Sequence, residues 1–102
     1  MVFGIEISAA AERDVIEVLQ YISKDSPVMA KKWFDGFVLK LESLRHLPMR
    51  NAVIPEARVF QRSIRAAYYK SHRIAYEVNP AREIVFIIRV YHGARRPISF
   101  GS

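Results

Sequence analysis

Basic and aromatic side chains that suit phosphate chemistry crowd the last part of the chain. They are Arg62, Arg65, Lys70, His72, Arg73, Arg89, Tyr91, His92, Arg95 and Arg96. Arginine keeps its charge and offers a two-pronged donor that matches phosphate, and a neighbouring histidine could transfer a proton near neutral pH. Metal-independent RNA cleavage would use both, with arginines stabilising the phosphorane and another group activating the 2′-hydroxyl. Plain binding would use the arginines alone, and the composition fits either chemistry.

The charge of the chain is concentrated in the same region. Residues 1–49 carry six basic and seven acidic side chains, whereas residues 50–102 carry ten basic and three acidic ones. The first half therefore has a net charge of −1 and the second half one of +7, which together give the total of +6. A basic surface of this kind favours RNA, DNA or an acidic protein as a partner, with ordinary solubilising charge as the alternative.

Other chemistries find little support in the sequence. The chain has no cysteine, which excludes disulfides, thiolate zinc sites and cysteine nucleophiles. Its histidines at 46, 72 and 92 form no H-x-x-x-H pair, so we predict no metal site. A nucleophile elbow, a phosphate loop and a dinucleotide motif are all missing, and we predict no cofactor.

Length and composition predict one globular domain spanning residues 1–102. About half of the residues are hydrophobic (51%), yet no apolar run approaches the ~20 residues that cross a bilayer. The start, MVFGIEIS, lacks a basic segment followed by a long apolar one, so we predict neither a signal peptide nor membrane attachment. A cytoplasmic location fits these features.

The stretch from residue 72 to 91 predicts two strands around the turn Asn79-Pro80. Pairing of Val78 with Ile84 would bring the apolar side chains together and set Arg73 opposite Arg89. Like charges facing each other across a ladder are destabilising unless solvent or an anion separates them. A register shifted by one residue would keep the two arginines apart, and we favour the first register because a slip moves hydrophobic side chains off the core.

The N-terminal part predicts one strand and one helix. Val2 to Ile7 alternates apolar and other residues, as in a half-buried strand. Ser8 is a suitable N-cap for a helix that runs to about Lys24 with its apolar residues at helical spacing.

A second amphipathic helix follows directly. Asp25 or Ser26 can cap it, Pro27 suits its first position, and Leu47-Pro48 ends it. We predict that it buries a stripe of Ala30, Trp33, Phe34, Phe37, Leu41 and Leu44. Gly36 inside this helix would permit close approach of another helix or of the sheet.

The remaining stretch, up to the terminal strands, predicts a loop from Met49 to Glu56. One or two strands then follow between Ala57 and Tyr69, on the evidence of Val59, Phe60, Ile64 and Tyr68. The element order β-α-α-β-β-β therefore predicts an α+β fold, in which an N-terminal strand and an antiparallel helical hairpin pack with a small antiparallel sheet.

Several motifs in this order resemble the RelE/ParE superfamily of bacterial type II toxin–antitoxin modules. The pieces that carry the resemblance are Phe3-x-Ile5-x-Ile7-Ser8-x-x-Ala11-Glu12-x-Asp14, Tyr21-Ile22, Leu44 with Leu47-Pro48, Pro55-Glu56, Arg73-Ile74-x-Tyr76-x-Val78, and Ile88-Arg89-Val90-Tyr91-His92-Gly93-Ala94-Arg95. The resemblance implies a growth-inhibiting toxin that a small, partly acidic antitoxin neutralises.

Two activities are known in this superfamily, and the resemblance bears on both. RelE-like members cut mRNA on the ribosome, and for that activity Arg73 and Arg95 match the arginines, with His92 as the group that moves a proton. However, Arg65 stands in the region where such toxins carry lysines, and Phe100 lies near their C-terminal tyrosine. ParE-like members inhibit DNA gyrase without nuclease chemistry, and the segment from His92 to Arg95 is more similar to theirs. We therefore favour the ParE-like activity, with a binding surface of Arg62, Arg65, Lys70, Arg73, Arg89, Arg95 and Arg96.

Overall fold

The computed structural model describes residues 2–54 and 62–93 of the chain. Its strands are β1 (Gly4–Ile7), β2 (Arg65–Tyr69), β3 (His72–Asn79) and β4 (Ile84–His92). Its helices are α1 (Ala9–Ser23) and α2 (Pro27–Leu44), and a short 3-10 helix covers Pro48–Arg50. The predicted α+β class and the order β-α-α-β-β-β are confirmed.

The sheet is mixed rather than wholly antiparallel. Its strand order is β1-β4-β3-β2, with β1 parallel to β4 and the other neighbours antiparallel. A parallel pair needs a long connection between its strands, and the helical hairpin together with β2 and β3 supplies it. The first and last described strands therefore become neighbours.

Both helices begin where the capping residues predict. The Ser8 hydroxyl accepts a hydrogen bond from Ala11 N at 2.9 Å, and the Ser26 hydroxyl accepts one from Met29 N at 3.1 Å. These bonds satisfy backbone donors that a helix start leaves open. α2 ends at Leu44, earlier than predicted, because Leu47 adopts a left-handed conformation (φ 49°) from which the 3-10 helix starts.

The helices and the sheet enclose the main hydrophobic core. Trp33 and Phe37 stack with ring centroids 5.2 Å apart and are both buried, as predicted. Around them lie Ala11, Val15, Leu41, Leu44, Ala67, Ile74, Tyr76, Val85, Ile87 and Val90. The prediction for Phe34 is wrong, since its side chain lies at the edge of the stripe and is 41% exposed.

Gly36 is the point of closest approach between α2 and the sheet. A Cβ at this position would lie 2.2 Å from the hydroxyl oxygen of Tyr69 in β2. That hydroxyl donates a hydrogen bond to the carbonyl oxygen of Trp33 at 2.8 Å. The predicted close approach is therefore made to the sheet, and the absent side chain leaves room for the tyrosine.

A second hydrophobic cluster covers the face of the sheet that is turned away from the helices, which we call the far face. It consists of Ile54, Ile64, Ala66, Ala75, Ile88 and Tyr91, with Phe86 packed against them. Ile54 N donates to Ile64 O at 2.8 Å, which ties the loop after the 3-10 helix to the start of β2. The predicted strand residues Val59 and Phe60 lie outside the described part of the chain.

The predicted register of β3 and β4 is wrong. Val78 pairs with Val85, and a bulge between Ala75 and Tyr76 shifts the pairing once more, so that Arg73 faces Tyr91. Arg89 faces Ala75 instead of Arg73. The extra residue of the bulge lies on β4, next to the end of β1. Beyond that point, β4 has helix α1 and not a strand as its neighbour. The alternative in which the two arginines are separated is the one that the structure adopts.

Candidate functional site

Three of the predicted basic site residues are engaged with other parts of the chain. Arg62 Nε donates to Glu77 at 3.1 Å, and this hydrogen bond raises the pKa of Arg62 above its ordinary value. Arg65 Nη1 donates to the carbonyl oxygen of Met49 at 3.2 Å and ties the 3-10 helix to β2. These contacts satisfy donors that an external anion would need.

Arg89 is engaged most fully, in a contact between β4 and α1. Its Nε and Nη2 atoms donate to the two carboxylate oxygens of Asp14 at 2.8 and 2.9 Å. The same carboxylate accepts a hydrogen bond from Val90 N at 2.9 Å. Hydrogen bonding to Asp14 raises the pKa of Arg89. This bidentate pair joins the first helix to the sheet. Arg89 thus meets Asp14 of α1, while Ala75 and not Arg73 is its partner in the strand register.

The other predicted residues lie together where β2 and β3 meet and β4 ends. Neighbouring strands place side chains in rows, and successive residues point to opposite faces. The helix-side row consists of Tyr69, His72 and His92. The far-face row consists of Tyr68, Arg73 and Tyr91.

The helix-side row packs beneath α2. The ring of His72 lies edge-on to Trp33 at a centroid distance of 5.5 Å and to His92 at 5.4 Å. Tyr69 also meets Trp33 edge-on, at 5.3 Å. This row therefore continues the aromatic core outward to His92, which is exposed.

The far-face row holds an arginine between two tyrosines. The Arg73 Cζ atom lies 5.8 Å from the ring centroid of Tyr68 and 5.4 Å from that of Tyr91. Tyr91 is buried, whereas Tyr68 is 64% exposed. Cation–π contacts on both sides fix the position of the guanidinium group near the surface.

The turn between β2 and β3 adds a further positive charge to this end of the sheet. Lys70 adopts a left-handed conformation (φ 51°), is exposed, and places its ammonium nitrogen 5.9 Å from the ring centroid of Tyr69. Gly93 N donates to Ser71 O at 2.8 Å and ties the end of β4 to the turn.

A cleft of about 780 Å³ opens between α1 and this end of the sheet. Val18, Ile22 and Trp33 give it apolar walls, while Lys70 and His92 contribute polar groups on the sheet side. The cleft therefore combines apolar walls with charged groups of both signs, since Asp14 and Glu17 of α1 line it as well as Lys70.

The sequence that folds into these elements matches a known family. A model of the ParE toxin of the type II toxin–antitoxin system parDE matches residues 5–97. The chain belongs to the ParE toxin family. Comparison with curated protein sequences found no significant match.

Two solved toxin–antitoxin structures share the fold of this ParE-family toxin. A chain of the RelBE2 complex from Mycobacterium tuberculosis is 19% identical, with a TM-score of 0.59, and 93% of our chain and 95% of that chain are covered. A chain of the chromosomal ParDE system from P. aeruginosa is 14% identical, with a TM-score of 0.69 and coverage of 89% and 96%. At these identities the likeness concerns the fold.

Within this ParE-family fold, Lys70, Arg73 and His92 come together at one end of the sheet. Arg73 and His92 nevertheless point to opposite faces, because Arg73 pairs with Tyr91 and His92 pairs with His72. Arg95 and Arg96 lie outside the described residues. The sequence reasoning overlooked Tyr68 as a site residue. Recognising a tight turn at 70–71 would have placed it directly opposite Arg73.

The described residues hold no group of three or more histidine and carboxylate side chains arranged to bind a metal ion. Of the helices in residues 2–54 and 62–93, none is both long enough and apolar enough to cross a membrane.

Proposed function

We propose that this ParE-family toxin arrests bacterial growth by binding DNA gyrase, without cleaving RNA. The observation that carries the proposal is the placement of Arg73 and His92 on opposite faces of the sheet. Cleavage of a phosphodiester needs the charge-stabilising group and the proton-transfer group within hydrogen-bond reach of one reacting centre. A binding surface has no such requirement, which supports the gyrase mechanism over RelE-like cleavage of mRNA on the ribosome.

The basic end of the sheet is the surface that we assign to the target. Lys70 and Arg73 lie there, and the chain continues from Gly93 toward Arg95 and Arg96. Arg62, which precedes β2, bonds to Glu77, while Arg65 of β2 bonds to Met49 O and Arg89 of β4 bonds to Asp14. Positive charge at this end of the sheet could steer an acidic partner toward it.

The antitoxin is the second partner that we propose, and the cleft beside α1 is the place that suits it. An amphipathic helix or extended segment could bury apolar side chains on Val18, Ile22 and Trp33. Acidic residues flanking that segment would meet Lys70 at the rim and neutralise part of the basic half of the toxin. The antitoxin is thus expected to be small and partly acidic.

Two paired assays test the target. Purified toxin is titrated into gyrase supercoiling reactions and, separately, into ribosomes carrying mRNA. We expect loss of supercoiling with intact mRNA. His92→Gln should retain the inhibition, because binding needs no proton transfer, whereas Arg95→Glu combined with Arg96→Glu should abolish it. Reversing two exposed charges on the helices, Arg13→Glu with Lys32→Glu, is the matched control and should leave inhibition unchanged.

The same assays can overturn the proposal. If the toxin cleaves mRNA on ribosomes, loses this activity with His92→Gln, and leaves supercoiling untouched, the chain is a RelE-like endoribonuclease. In cells, expression of the toxin alone should stop growth, and co-expression of its antitoxin should restore it. Growth of cells that make the wild-type toxin without any antitoxin would contradict both mechanisms.

A further inference from the structure

The cleft between α1 and the end of the sheet has walls of opposite charge. On the α1 wall lie the carboxylates of Asp14 and Glu17. On the sheet wall lies the ammonium group of Lys70, together with the imidazoles of His72 and His92. Apolar side chains of both helices line the cleft as well. A partner that fills it therefore meets negative charge on one side and positive charge on the other.

Glu17 is the carboxylate of the α1 wall that is available to a partner. The Asp14 carboxylate already accepts hydrogen bonds from Arg89 Nε, Arg89 Nη2 and Val90 N. Glu17 is exposed, and its carboxylate forms no hydrogen bond or ion pair with residues 2–54 or 62–93. After the hydrogen bond to Asp14, the charge of Glu17 also helps to raise the pKa of Arg89, so Glu17 lies near that guanidinium without bonding to it.

Lys70 supplies an accessible positive charge on the opposite wall. It is exposed, its ammonium nitrogen lies 5.9 Å from the ring centroid of Tyr69, and no carboxylate in the described part of the chain pairs with it. Tyr21 of α1 lines the same cleft and is 75% exposed. Tyrosine is one of the residue types that contribute most to binding at protein interfaces. The cleft thus offers an aromatic contact together with two accessible charges of opposite sign.

From this arrangement we infer that the cleft binds an amphipathic segment of the antitoxin in one direction only, with a basic side chain facing Glu17 and an acidic one facing Lys70. The inference rests on the antitoxin binding proposed above and names the contacts that orient the segment. A segment whose apolar side is turned toward the cleft has one flank on each wall. Turning it end to end exchanges the flanks, so that like charges face each other, which is costly at an interface.

Glu17→Lys tests the contact on the α1 wall through the affinity of purified toxin for its antitoxin, the protein that restores growth on co-expression. The substitution makes the toxin more positive, so attraction of an acidic antitoxin by net charge alone predicts equal or tighter binding. We expect binding to weaken by about 10-fold, because two basic groups then face each other. Glu12→Lys, at an exposed position of α1 outside the cleft, changes the net charge equally and should stay within about twofold. Equal or tighter binding by Glu17→Lys overturns the inference.

Compensating substitutions in the antitoxin test the direction of the segment. Lys70→Glu should also weaken binding by about 10-fold. Antitoxin variants are then selected by display for tight binding to toxin carrying Glu17→Lys or Lys70→Glu. We expect the first selection to replace a basic residue by an acidic one and the second to do the reverse, on opposite flanks of one segment. Compensating residues for both variants on the same flank contradict a fixed direction.

Tyr21→Ala separates this inference from the antitoxin binding on which it rests, and should weaken that binding by about 10-fold. If it does so while Glu17→Lys binds like wild type, the cleft is the antitoxin site and only the orienting contacts are wrong. If Tyr21→Ala, Glu17→Lys and Lys70→Glu all bind like wild type, the antitoxin does not use the cleft. Loss of gyrase inhibition by Tyr21→Ala and Glu17→Lys with antitoxin binding intact assigns the cleft to the target instead. Urea denaturation midpoints near that of wild type confirm that the variants are folded.

Discussion

The two faces of the sheet at its basic end use adjacent residues of the same strands for different purposes. On the helix side, His72 and Tyr69 pack edge-on against Trp33, whose indole is only 6% exposed. On the far face, one residue away along each strand, Arg73 lies between two tyrosines, one of which is largely exposed. The alternation of side chains along a strand thus separates a tightly packed surface from a partly exposed one.

The comparison shows why the basic residues are not equivalent. Arg89 and Arg62 hold elements together through carboxylates within the chain, whereas Arg73 is held by aromatic rings. The same residue type therefore makes ion pairs at two positions and cation–π contacts at a third.

The largest difference between the two faces should appear in stability. Trp33→Ala removes the ring on which the helix-side row packs and should lower the free energy of unfolding by about 3–5 kcal/mol. Tyr68→Ala, on the exposed side of the other row, should change it by less than about 0.5 kcal/mol. Urea denaturation of both variants measures this contrast. Similar midpoints for Trp33→Ala and wild type would mean that the helix-side row contributes little to the fold.

A smaller effect is expected where α1 meets β4. Asp14→Ala removes the acceptor of Arg89 and of Val90 N, and should cost about 2–3 kcal/mol because the carboxylate is largely buried. Ala at the neighbouring exposed Glu12 is the control and should be nearly neutral. A double-mutant cycle that combines Asp14→Ala with Arg89→Met isolates the interaction energy between the two side chains. A coupling energy near zero would show that the contact positions the helix without stabilising it.

A still smaller loss than that of Asp14→Ala is expected on the far face away from the row. The ion pair between Glu77 and Arg62 is partly solvated, each side chain being 30% exposed. Glu77→Gln should therefore lower stability by about 0.5–1 kcal/mol, and added salt should narrow the gap from wild type. Asp35→Asn in the exposed pair with Lys31 is the comparison and should cost less. If Glu77→Gln lowers the free energy of unfolding as much as Asp14→Ala does, this ion pair stabilises the fold far more than its exposure predicts.

Features determined by nearby residues could be predicted from the sequence. Ser8 and Ser26 cap their helices because a hydroxyl at that position bonds a backbone amide three residues on, which is a local event. The apolar spacing of α2 likewise placed Trp33 and Phe37 in the core. Gly36 predicted that another element comes close to α2 at this position, and the structure shows that the neighbour is Tyr69 of the sheet.

Features determined by distant residues could not be predicted in the same way. The register of β3 and β4 depends on a bulge that forms beside the end of β1, where Ser8 and Asp14 bond to β4. No pattern within residues 72–92 encodes that neighbour. The same holds for the arginines, since a sequence gives the charge of Arg89 and Arg73 but not the carboxylate or ring that each one meets.

The pairing of the first strand with the last has a consequence for the toxin during its synthesis. Ile7 pairs with Ile87, so β1 cannot complete its pairing with β4 until the 80 residues from 8 to 87 have been translated. At ribosomal speeds of about 5–20 residues per second, this takes roughly 4–16 seconds. Both rows at the basic end also require β4, which is translated after all the other described strands. A nascent chain therefore cannot complete this end of the sheet until β4 has left the ribosome.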